Sequence, residues 1–419
     1  MKSGFSELNI TKQFVNALEE MGISTPSEIQ QKAIKPALAG QDVLGIAQTG
    51  SGKTLAFLLP LVMKLKYAQG DVPRALILAP SKELVVQIHK ALVQLSLNTD
   101  LRSIAIYGGI GKKTQVEQIE KGCDVLVSTP GRFLDLYSYG HIHTRQLKTL
   151  VLDEADRMMQ MGFMPQLRRV LEVIPVKRQN LLFSATFPKH VEVMAEEFLE
   201  FPTRVESDQI QKPVEELIQL WYPAKNFRSK LNLVEHLLHD DSLSRVIIFC
   251  RTKDAAERVS RYLERKKLGS IAVLHANKGQ NTRINAMETF KEGSIRVLVT
   301  TDVTSRGIDV QGVSHVINFE LPKVPEDYLH RIGRTARMHQ VGKAISLVSE
   351  PEKYLLSKLE SFIESEIDAY PWPTEVEEGQ FLPGEQKKFA IELDNQKRER
   401  NPGYQGAFHK RARKKKRKR

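Results

Sequence analysis

The chain has 419 residues, of which 41% are hydrophobic and 27% charged, so it contains enough apolar material for two or more packed domains. This composition excludes a fully disordered chain, and two cysteines are too few for a disulfide scaffold, which fits a reducing compartment. The formal net charge of +12 suggests a polyanionic partner, and because the sequence has no membrane-spanning apolar run and no signal segment, we expect neither a membrane protein nor a secreted one.

Short β-branched runs alternate with longer helical stretches in the first half of the chain. Because these runs are apolar throughout and precede helix-compatible sequence, they fit strands buried on both faces of a parallel sheet. Many end in a polar or glycine-containing turn, where open α/β sheets place their ligand sites. The predicted strands are Val43–Ile46, Ala75–Ala79, Ile104–Tyr107, Val125–Ser128, Thr149–Leu152 and Leu181–Ser184.

A glycine-rich loop follows the first of these strands and opens a helix, as a phosphate-binding loop does. Gly50 and Gly52 allow backbone N–H groups to curl around phosphate oxygens, and the helix N-terminus adds its positive end. Lys53 can reach the β- and γ-phosphates, and Thr54 can help to hold Mg²⁺. A plain glycine-serine turn would leave the Gly-Lys-Thr ending unexplained. The predicted phosphate cradle is Ala47-Gln48-Thr49-Gly50-Ser51-Gly52-Lys53-Thr54, with Ala47 where the usual pattern has glycine.

Two acidic residues, Asp153 and Glu154, come directly at the end of the strand Thr149–Leu152. A carboxylate buried at such a strand end needs compensation, which Mg²⁺ bound to Asp153 would supply. Glu154 is then placed to accept a proton from the attacking water. The alternative is that both acids cap the following helix. The phosphate loop in the same domain favours catalysis.

A polar stretch at residues 207–213 predicts a linker between a first domain, residues 1–206, and a second domain, residues 214–365. The alternation of strands and helices then resumes without a second phosphate-loop motif. This pattern predicts two α/β domains in tandem, each a mainly parallel sheet flanked by helices. The strands predicted in the second domain are Val246–Cys250, Ile271–His275, Val297–Thr300, His315–Phe319 and Ala344–Val348.

Prolines, glycines and charged residues dominate the segment after Ser365, so we expect an extended tail over residues 366–419, with a short helix near Glu385–Arg398. Residues 409–419 hold nine Lys and Arg and no acid. Residues 1–408 hold 53 basic and 50 acidic side chains, a net charge of only +3. Most of the basicity therefore belongs to the tail, which we interpret as an electrostatic tether for a polyanionic partner.

The segment Asp153-Glu154-Ala155-Asp156 resembles the motif of the DEAD-box ATP-dependent RNA helicases, and further motifs extend the resemblance over about residues 5–350. The resemblance implies two tandem RecA-like domains and RNA-stimulated ATP hydrolysis, with Mg²⁺ as cofactor. It also implies that Gln30 hydrogen-bonds adenine, with Thr25 in the same segment and Phe5 packed on the base. For Phe5, a place in the core is the open alternative.

Further segments of the first domain match family motifs in the right order. Pro80-Ser81-Lys82-Glu83-Leu84 departs from the usual pattern at Ser81 and Lys82, since lysine lacks the bidentate fork of arginine. Ser184 and Thr186, of Ser184-Ala185-Thr186, couple ATP chemistry to strand separation by resemblance, and a helix cap is the alternative. The first-domain residues that contact RNA by resemblance are Ser81, Lys82, Gly108, Gly109, Thr129, Pro130, Gly131 and Arg132.

The second domain carries the remaining motifs. By resemblance, Asp309 faces the ribose of ATP, Arg334 and Arg337 are arginine fingers, and His330 belongs to the coupling motif. Three arginines within residues 331–337 are otherwise typical of a solvated basic face. A positioned arginine stabilises the charge that spreads over the γ-phosphate oxygens, which explains why a domain without its own phosphate loop carries them. The second-domain RNA contacts implied by the resemblance are Arg251, Gln280, Arg283 and Thr301.

The resemblance implies that ATP and RNA bind cooperatively, and that RNA is bound with little sequence specificity, because the implied contacts suit phosphate and sugar. Local, non-processive unwinding or remodelling of RNA duplexes and RNA–protein complexes would follow. Two alternatives remain open: a DNA helicase or translocase on the same scaffold, and an ATP-gated RNA clamp that acts as an assembly scaffold. We expect a bacterial-type monomer in the cytoplasm, acting on ribosomal precursors or with RNA-decay machinery; in a eukaryote the basic cluster would be a nuclear signal.

Overall fold

The computed structural model describes residues 4–48, 50–207, 217–275, 277–302, 312–335, 342–401 and 404, without the side chains of Ser6, Gln280, Asn281 and Ile284. These residues form two compact units, 4–207 and 217–404. No helix within the described part of the chain is long and apolar enough to cross a membrane. Several sequence predictions lie outside the described residues: Thr49, Asp309, Arg337, most of the linker and the basic cluster 409–419.

The first unit contains seven strands in one parallel sheet, in the order β3-β4-β2-β5-β6-β1-β7. Its strands are β1 (Val43–Ile46), β2 (Ala75–Leu78), β3 (Ser103–Ile106), β4 (Val125–Ser128), β5 (Thr149–Leu152), β6 (Gln179–Ser184) and β7 (Thr203–Glu206). Its described helices are α1 (Lys12–Glu20), α2 (Glu28–Leu38), α3 (Lys53–Leu65), α4 (Lys82–Leu95), α5 (Lys112–Glu120), α6 (Pro130–Ser138), α7 (Ala155–Gln160), α8 (Met164–Val173) and α9 (Lys189–Phe198), after a short 3-10 turn at Phe5–Leu8.

The second unit repeats this architecture, with the strand order β10-β11-β9-β12-β13-β8-β14 and parallel pairing throughout the described residues. Its strands are β8 (Leu217–Pro223), β9 (Val246–Cys250), β10 (Ile271–Leu274), β11 (Val297–Thr301), β12 (His315–Asn318), β13 (Gly342–Val348) and β14 (Asp368–Ala369). Its described helices are α10 (Phe227–Leu238), α11 (Lys253–Arg265), α12 (Gln280–Lys291), α13 (Pro325–Ile332), α14 (Lys353–Ile363) and α15 (Glu385–Arg400), with a 3-10 turn at Glu350–Glu352.

Each sheet is covered on both faces, which is why its strands are apolar without alternation. In β1, Val43 packs into the core under α1–α4, whereas Leu44 and Ile46 pack into the core on the opposite face. Position 45 requires glycine for a steric reason, because a Cβ there would lie 2.4 Å from Cε1 of Phe183. Parallel strands send all their carboxyl ends to one edge, so the residues that follow them meet there.

The fold class predicted from the sequence is confirmed, and each predicted strand is present to within two residues. Three strands were not predicted: β7, β8 and β14. The C-terminal segment also differs from an extended tail over residues 366–401. Trp372 and Val376 pack against the core of the second unit, and Asn226 Nδ2 donates a hydrogen bond to the Gly379 carbonyl at 2.6 Å. The helix foreseen near Glu385 is α15.

Candidate functional site

The glycine-rich loop lies at the carboxyl end of β1 and leads into α3. Gly50 and Gly52 have φ of 86° and 94°, a left-handed conformation that favours glycine. Lys53, the first residue of α3, is only 7% exposed, and its Nζ donates a hydrogen bond to the Ala47 carbonyl inside the loop. Ser51 Oγ is buried without a hydrogen-bond partner among the described residues. The loop therefore has the backbone curvature and the buried ammonium of a phosphate cradle.

Gln30 on α2 contacts this loop directly. Its Nε2 donates to the Gly52 carbonyl at 3.0 Å, and its Oε1 accepts from the Ser27 backbone N–H at 2.9 Å. A carboxamide has two donor hydrogens and two acceptor lone pairs, so one of each is left for a base edge. Thr25 is exposed in the preceding loop, and Phe5 is 3% exposed within the apolar core. Contacts of these three residues with adenine stay predictions.

Asp153 and Glu154 follow β5 at the same edge of the sheet as the phosphate loop, with β6 between β5 and β1. Glu154 has φ of 54°, a strained left-handed conformation for a residue with a side chain. Its backbone N–H donates to Asp153 Oδ1 at 3.0 Å, which fixes the orientation of that carboxylate. Glu154 Oε2 is buried and accepts no hydrogen bond from the described residues. The side chain of Glu154 does not cap α7, since it makes no hydrogen bond to the first turn of that helix.

The electrostatics of this pair fit a bound cation. Burial and the neighbouring Glu154 carboxylate raise the pKa of Asp153 to about 7, although the Lys53 ammonium acts in the opposite direction. A divalent cation at Asp153 would offset both the burial and the like-charge repulsion. Asp153 offers a buried carboxylate and Thr54 a hydroxyl. This small set of protein ligands fits Mg²⁺, because substrate phosphates and water usually complete the coordination shell of that ion.

Asp156 joins the acidic segment to the next strand of the sheet. Its Oδ2 accepts from the Thr186 N–H at 3.0 Å and from Thr186 Oγ1 at 2.8 Å. Its own N–H donates to Ser184 Oγ at 3.2 Å, and Ser184 Oγ donates to the Thr186 carbonyl at 2.7 Å. The two predicted coupling residues therefore bind the acidic motif, and Asp156, which sequence reasoning assigned no role, is the residue they hold.

The predicted RNA contacts of the first unit gather around one groove of about 480 Å³. Gly108 and Gly131 are open, because a Cβ at either would meet no atom within 4 Å. Ser81 Oγ caps α4 by accepting from the Leu84 N–H at 3.3 Å. Arg132 NH2 donates to the Ile110 carbonyl at 2.9 Å, while its NH1 is buried without a partner among the described residues. The groove is lined by Pro80, Lys82, Gly108, Thr129, Gly131, Arg132, Asp135 and Phe163.

Three further RNA predictions have described side chains in the second unit, and all three are largely buried. Thr301 ends β11 with 8% exposure, and Arg283 on α12 is 7% exposed. Arg251, after β9, has its guanidinium 3.4–3.6 Å from the carboxylates of Glu320, Glu352 and Glu392. Burial by itself lowers the pKa of Arg251, but the three carboxylates together outweigh it, so the pKa is raised. Arg251 thus packs within an ion cluster of its own unit, and an RNA contact by it stays a prediction.

The predicted finger Arg334 lies just after α13 and is 4% exposed. Its Nε donates to the carbonyl of His330, one turn earlier, at 3.1 Å, and its backbone N–H donates to the Arg331 carbonyl at 3.1 Å. The guanidinium is therefore folded against the end of α13 in this structure. His330 is 8% exposed on the same helix.

Comparison with known sequences identifies the family that carries this arrangement. The DEAD/DEAH box helicase family matches residues 27–194, and the helicase conserved C-terminal domain matches residues 229–339. The chain belongs to the DEAD-box ATP-dependent RNA helicases. Its two units are accordingly tandem RecA-like domains, and it is an ATP-binding, RNA-binding enzyme that hydrolyses ATP.

Individual relatives of this DEAD-box helicase cover nearly its full length. It is 39% identical to the ATP-dependent RNA helicase RhlB of Pseudomonas syringae pv. tomato over 89% of this chain and 96% of the relative. It is 37% identical to the DEAD-box helicase RhpA of Helicobacter pylori over 91% of this chain and 76% of the relative. The structure of S. cerevisiae Dbp5 bound to RNA and ADP BeF3 matches with a TM-score of 0.81 and 30% identity, over 94% of this chain and 99% of that one.

Sequence reasoning did not predict three residues of the groove: Pro80, which it placed in a motif without a contact role, and Asp135 and Phe163. Phe163 follows Gly162, whose φ of 75° turns the chain between α7 and α8. An aromatic residue after a turn glycine is the only local signal for Phe163, and it is weak, because core packing gives the same pattern. Asp135 has no such signal, since an acid on a helix is usually solvated.

Proposed function

We propose that this helicase couples RNA-stimulated ATP hydrolysis to local, non-processive unwinding or remodelling of RNA duplexes and RNA–protein complexes. The observation that carries the proposal is the hydrogen-bonded link from Asp156 to Ser184 and Thr186. That link ties the segment bearing Asp153 and Glu154 to the end of the adjacent strand β6. A change at the nucleotide can therefore be transmitted to the end of β6 through the hydrogen bonds of Asp156 with Ser184 and Thr186.

In the nucleotide site, the loop of residues 47–54 would surround the phosphates and Lys53 would contact the β- and γ-oxygens. Thr54 and Asp153 would hold Mg²⁺, which supplies charge neutralisation at the phosphate oxygens. Glu154, with its unpartnered Oε2, would accept the proton of the attacking water. Gln30 would read the adenine edge with its remaining donor and acceptor, with Phe5 and Thr25 nearby, and Asp309 would bind the ribose.

For RNA, the first-domain groove and its flanking residues would bind phosphate and sugar. Lys82 and Arg132 supply positive charge, and the open backbones of Gly108 and Gly131 allow close approach. Thr301, Gln280, Arg283 and Arg251 would extend these contacts in the second domain, where Arg334 and Arg337 would act on the γ-phosphate. Contacts of this kind carry no base information, so we expect little sequence preference in the core.

The test is ATP turnover by the full chain with RNA and with single-stranded DNA of identical sequence, using Lys53→Ala for background. RNA should stimulate turnover and DNA should not, because contacts to the 2′-hydroxyl distinguish the two. Equal stimulation by DNA would support the translocase alternative instead. Duplex unwinding and the lifetime of bound RNA, measured together, separate a helicase from an ATP-gated clamp: a clamp would hold RNA for long periods and separate few duplexes.

Deleting residues 409–419 tests the proposed tether. The deletion removes nine positive charges, so RNA affinity should fall at low salt. The slope of log affinity against log salt should become shallower by up to about 6, if each cation contacts one phosphate of a single strand. Nucleotide-dependent binding should persist, since it belongs to the core. Unchanged affinity and slope, measured by fluorescence anisotropy across a salt series, would contradict a tether.

We propose that the protein is a cytoplasmic monomer. Both of its cysteines are free and buried, as expected in a reducing compartment. The cellular RNA is a separate question, for which ribosomal precursors and decay intermediates are the proposed classes. Crosslinking the protein to RNA in its native cell, with and without residues 409–419, would identify what it binds.

A further inference from the structure

Arg331 is the largest fully buried side chain of the described residues, with 1% exposure. It lies on α13, three residues before Arg334. Arginine is almost never fully buried unless it is paired, because removing its charge from water is costly. The contacts of Arg331 therefore indicate what this position requires.

The guanidinium of Arg331 uses four of its five N–H donors on three groups. Nε and NH2 form a two-pronged ion pair with the Asp302 carboxylate, at 2.6 Å and 2.8 Å. NH1 donates to Asn318 Oδ1 at 3.0 Å and to the Glu320 carbonyl at 2.7 Å. The centre of the guanidinium also lies 5.1 Å from the ring centroid of Phe249. This geometry uses the planar fork of arginine, which lysine cannot reproduce.

These contacts join two parts of the proposed machinery. Asp302 directly follows Thr301, the proposed RNA contact at the end of β11. Arg331 lies on the helix that carries His330, whose carbonyl accepts from Arg334. A single buried side chain thus connects the end of β11 to the helix before the finger. A buried ion pair is weak evidence of a contribution to stability, because an apolar pair of similar volume is often as stable, but its directional contacts do define an orientation.

We propose that Arg331 is a positioning residue that couples RNA contact at the end of β11 to the placement of Arg334. The proposal rests on the proposed function, because it assumes that Thr301 meets RNA and that Arg334 acts on ATP. RNA bound at Thr301 holds Asp302, Asp302 holds Arg331, and Arg331 sets the position of α13. Without this connection, RNA still binds but no longer aligns the finger.

The experiment compares full-length Arg331→Lys, Asp302→Asn and the double variant with the unmodified chain. At saturating RNA, kcat of each single variant should be about 10- to 100-fold lower than that of the unmodified chain. This is the loss expected when a catalytic group is displaced by about 1 Å. The ATP concentration for half-maximal turnover should stay within about threefold of the wild-type value, because the variants leave the phosphate loop unchanged. The double variant should be no slower than the slower single variant, since both changes break one connection.

Arg296→Lys is the matched control, because Arg296 directly precedes β11, the strand that ends before Asp302. Arg296 is half-buried, and its guanidinium donates to the carbonyls of Leu243 at 3.0 Å and Leu238 at 2.8 Å. The same substitution there should lower the thermal midpoint but leave RNA-stimulated kcat within about twofold, because it lies at the opposite edge of the sheet from the ligand sites.

The proposal is overturned if Arg331→Lys and Asp302→Asn keep wild-type kcat, or if kcat falls in Arg296→Lys as far as in Arg331→Lys at equal loss of stability. If Arg331→Lys fails to fold, Asp302→Asn carries the test, because the Asp302 side chain is 19% exposed and the change is isosteric. Failure of the proposed function is a different result, since the unmodified chain would then show no RNA stimulation.

Discussion

Glu154→Gln is expected to lower RNA-stimulated ATP hydrolysis by about 10²- to 10⁴-fold, the usual contribution of a general base. The amide keeps the size of the side chain but cannot take a proton from water. Glu154 Oε2 is buried and accepts no hydrogen bond from the described residues, so the substitution breaks no described contact of that oxygen. Single-turnover hydrolysis with and without RNA measures the effect on chemistry alone.

The same variant should still bind ATP and RNA, and RNA should stay bound longer in the presence of ATP. This follows from linkage, because a ligand that favours the RNA-binding state is no longer consumed. Glu172→Gln is the matched control, an exposed glutamate on α8 outside the site, and should leave hydrolysis unchanged. Normal hydrolysis in Glu154→Gln would remove Glu154 from the role of base.

Arg334→Ala is expected to lower RNA-stimulated turnover by about 10³- to 10⁵-fold, the range measured for arginine fingers in phosphoryl transfer. Its guanidinium donates to the His330 carbonyl, and in the proposed mechanism it reaches the γ-phosphate only in the active state. Nucleotide affinity should change little, since the phosphate loop that binds ATP belongs to the first domain. Steady-state turnover at saturating RNA and an equilibrium nucleotide titration measure the two effects separately.

Two further variants make the result specific to Arg334. Arg334→Lys keeps the charge without the planar fork and should recover only part of the lost rate. Arg261→Ala removes an arginine whose side chain is 66% exposed on α11 and should retain full stimulation. RNA stimulation of Arg334→Ala at the wild-type level would refute the finger assignment.

The sequence predicted most of the fold because buried parallel strands consist of continuous apolar residues. It did not predict β7, whose sequence Thr-Arg-Val-Glu places only Val205 in the core at the edge of the sheet. Edge strands carry polar residues toward solvent and so resemble loops. β8 was missed for a related reason, since most of Leu217–Pro223 is partly exposed, and β14 has only two residues.

The C-terminal segment shows the opposite error. Its prolines and charges predict an extended chain, but composition is a poor guide where a few apolar side chains find a surface. Trp372 and Val376 pack against the second unit, and Phe227 N–H donates to Glu385 Oε1 at 2.7 Å, which orients the start of α15. The surface that receives this segment comes from β8 and the start of α10, about 150 residues earlier in the chain, as the contacts of Tyr222 with Tyr370 and of Asn232 with the Glu377 carbonyl show.

The sequence by itself determined the architecture, the family and the chemical groups of the nucleotide site, because apolar strand runs and short motifs are local properties of the chain. Only the tertiary structure decided which groups meet: Gln30 with Gly52, Asp156 with Thr186, Arg251 with Glu392, and Arg331 with Asp302. These partners are 22 to 141 residues apart. Their meeting depends on the strand order, which brings distant strand ends to one edge of each sheet, and on where the helices that carry Gln30, Arg331 and Glu392 pack.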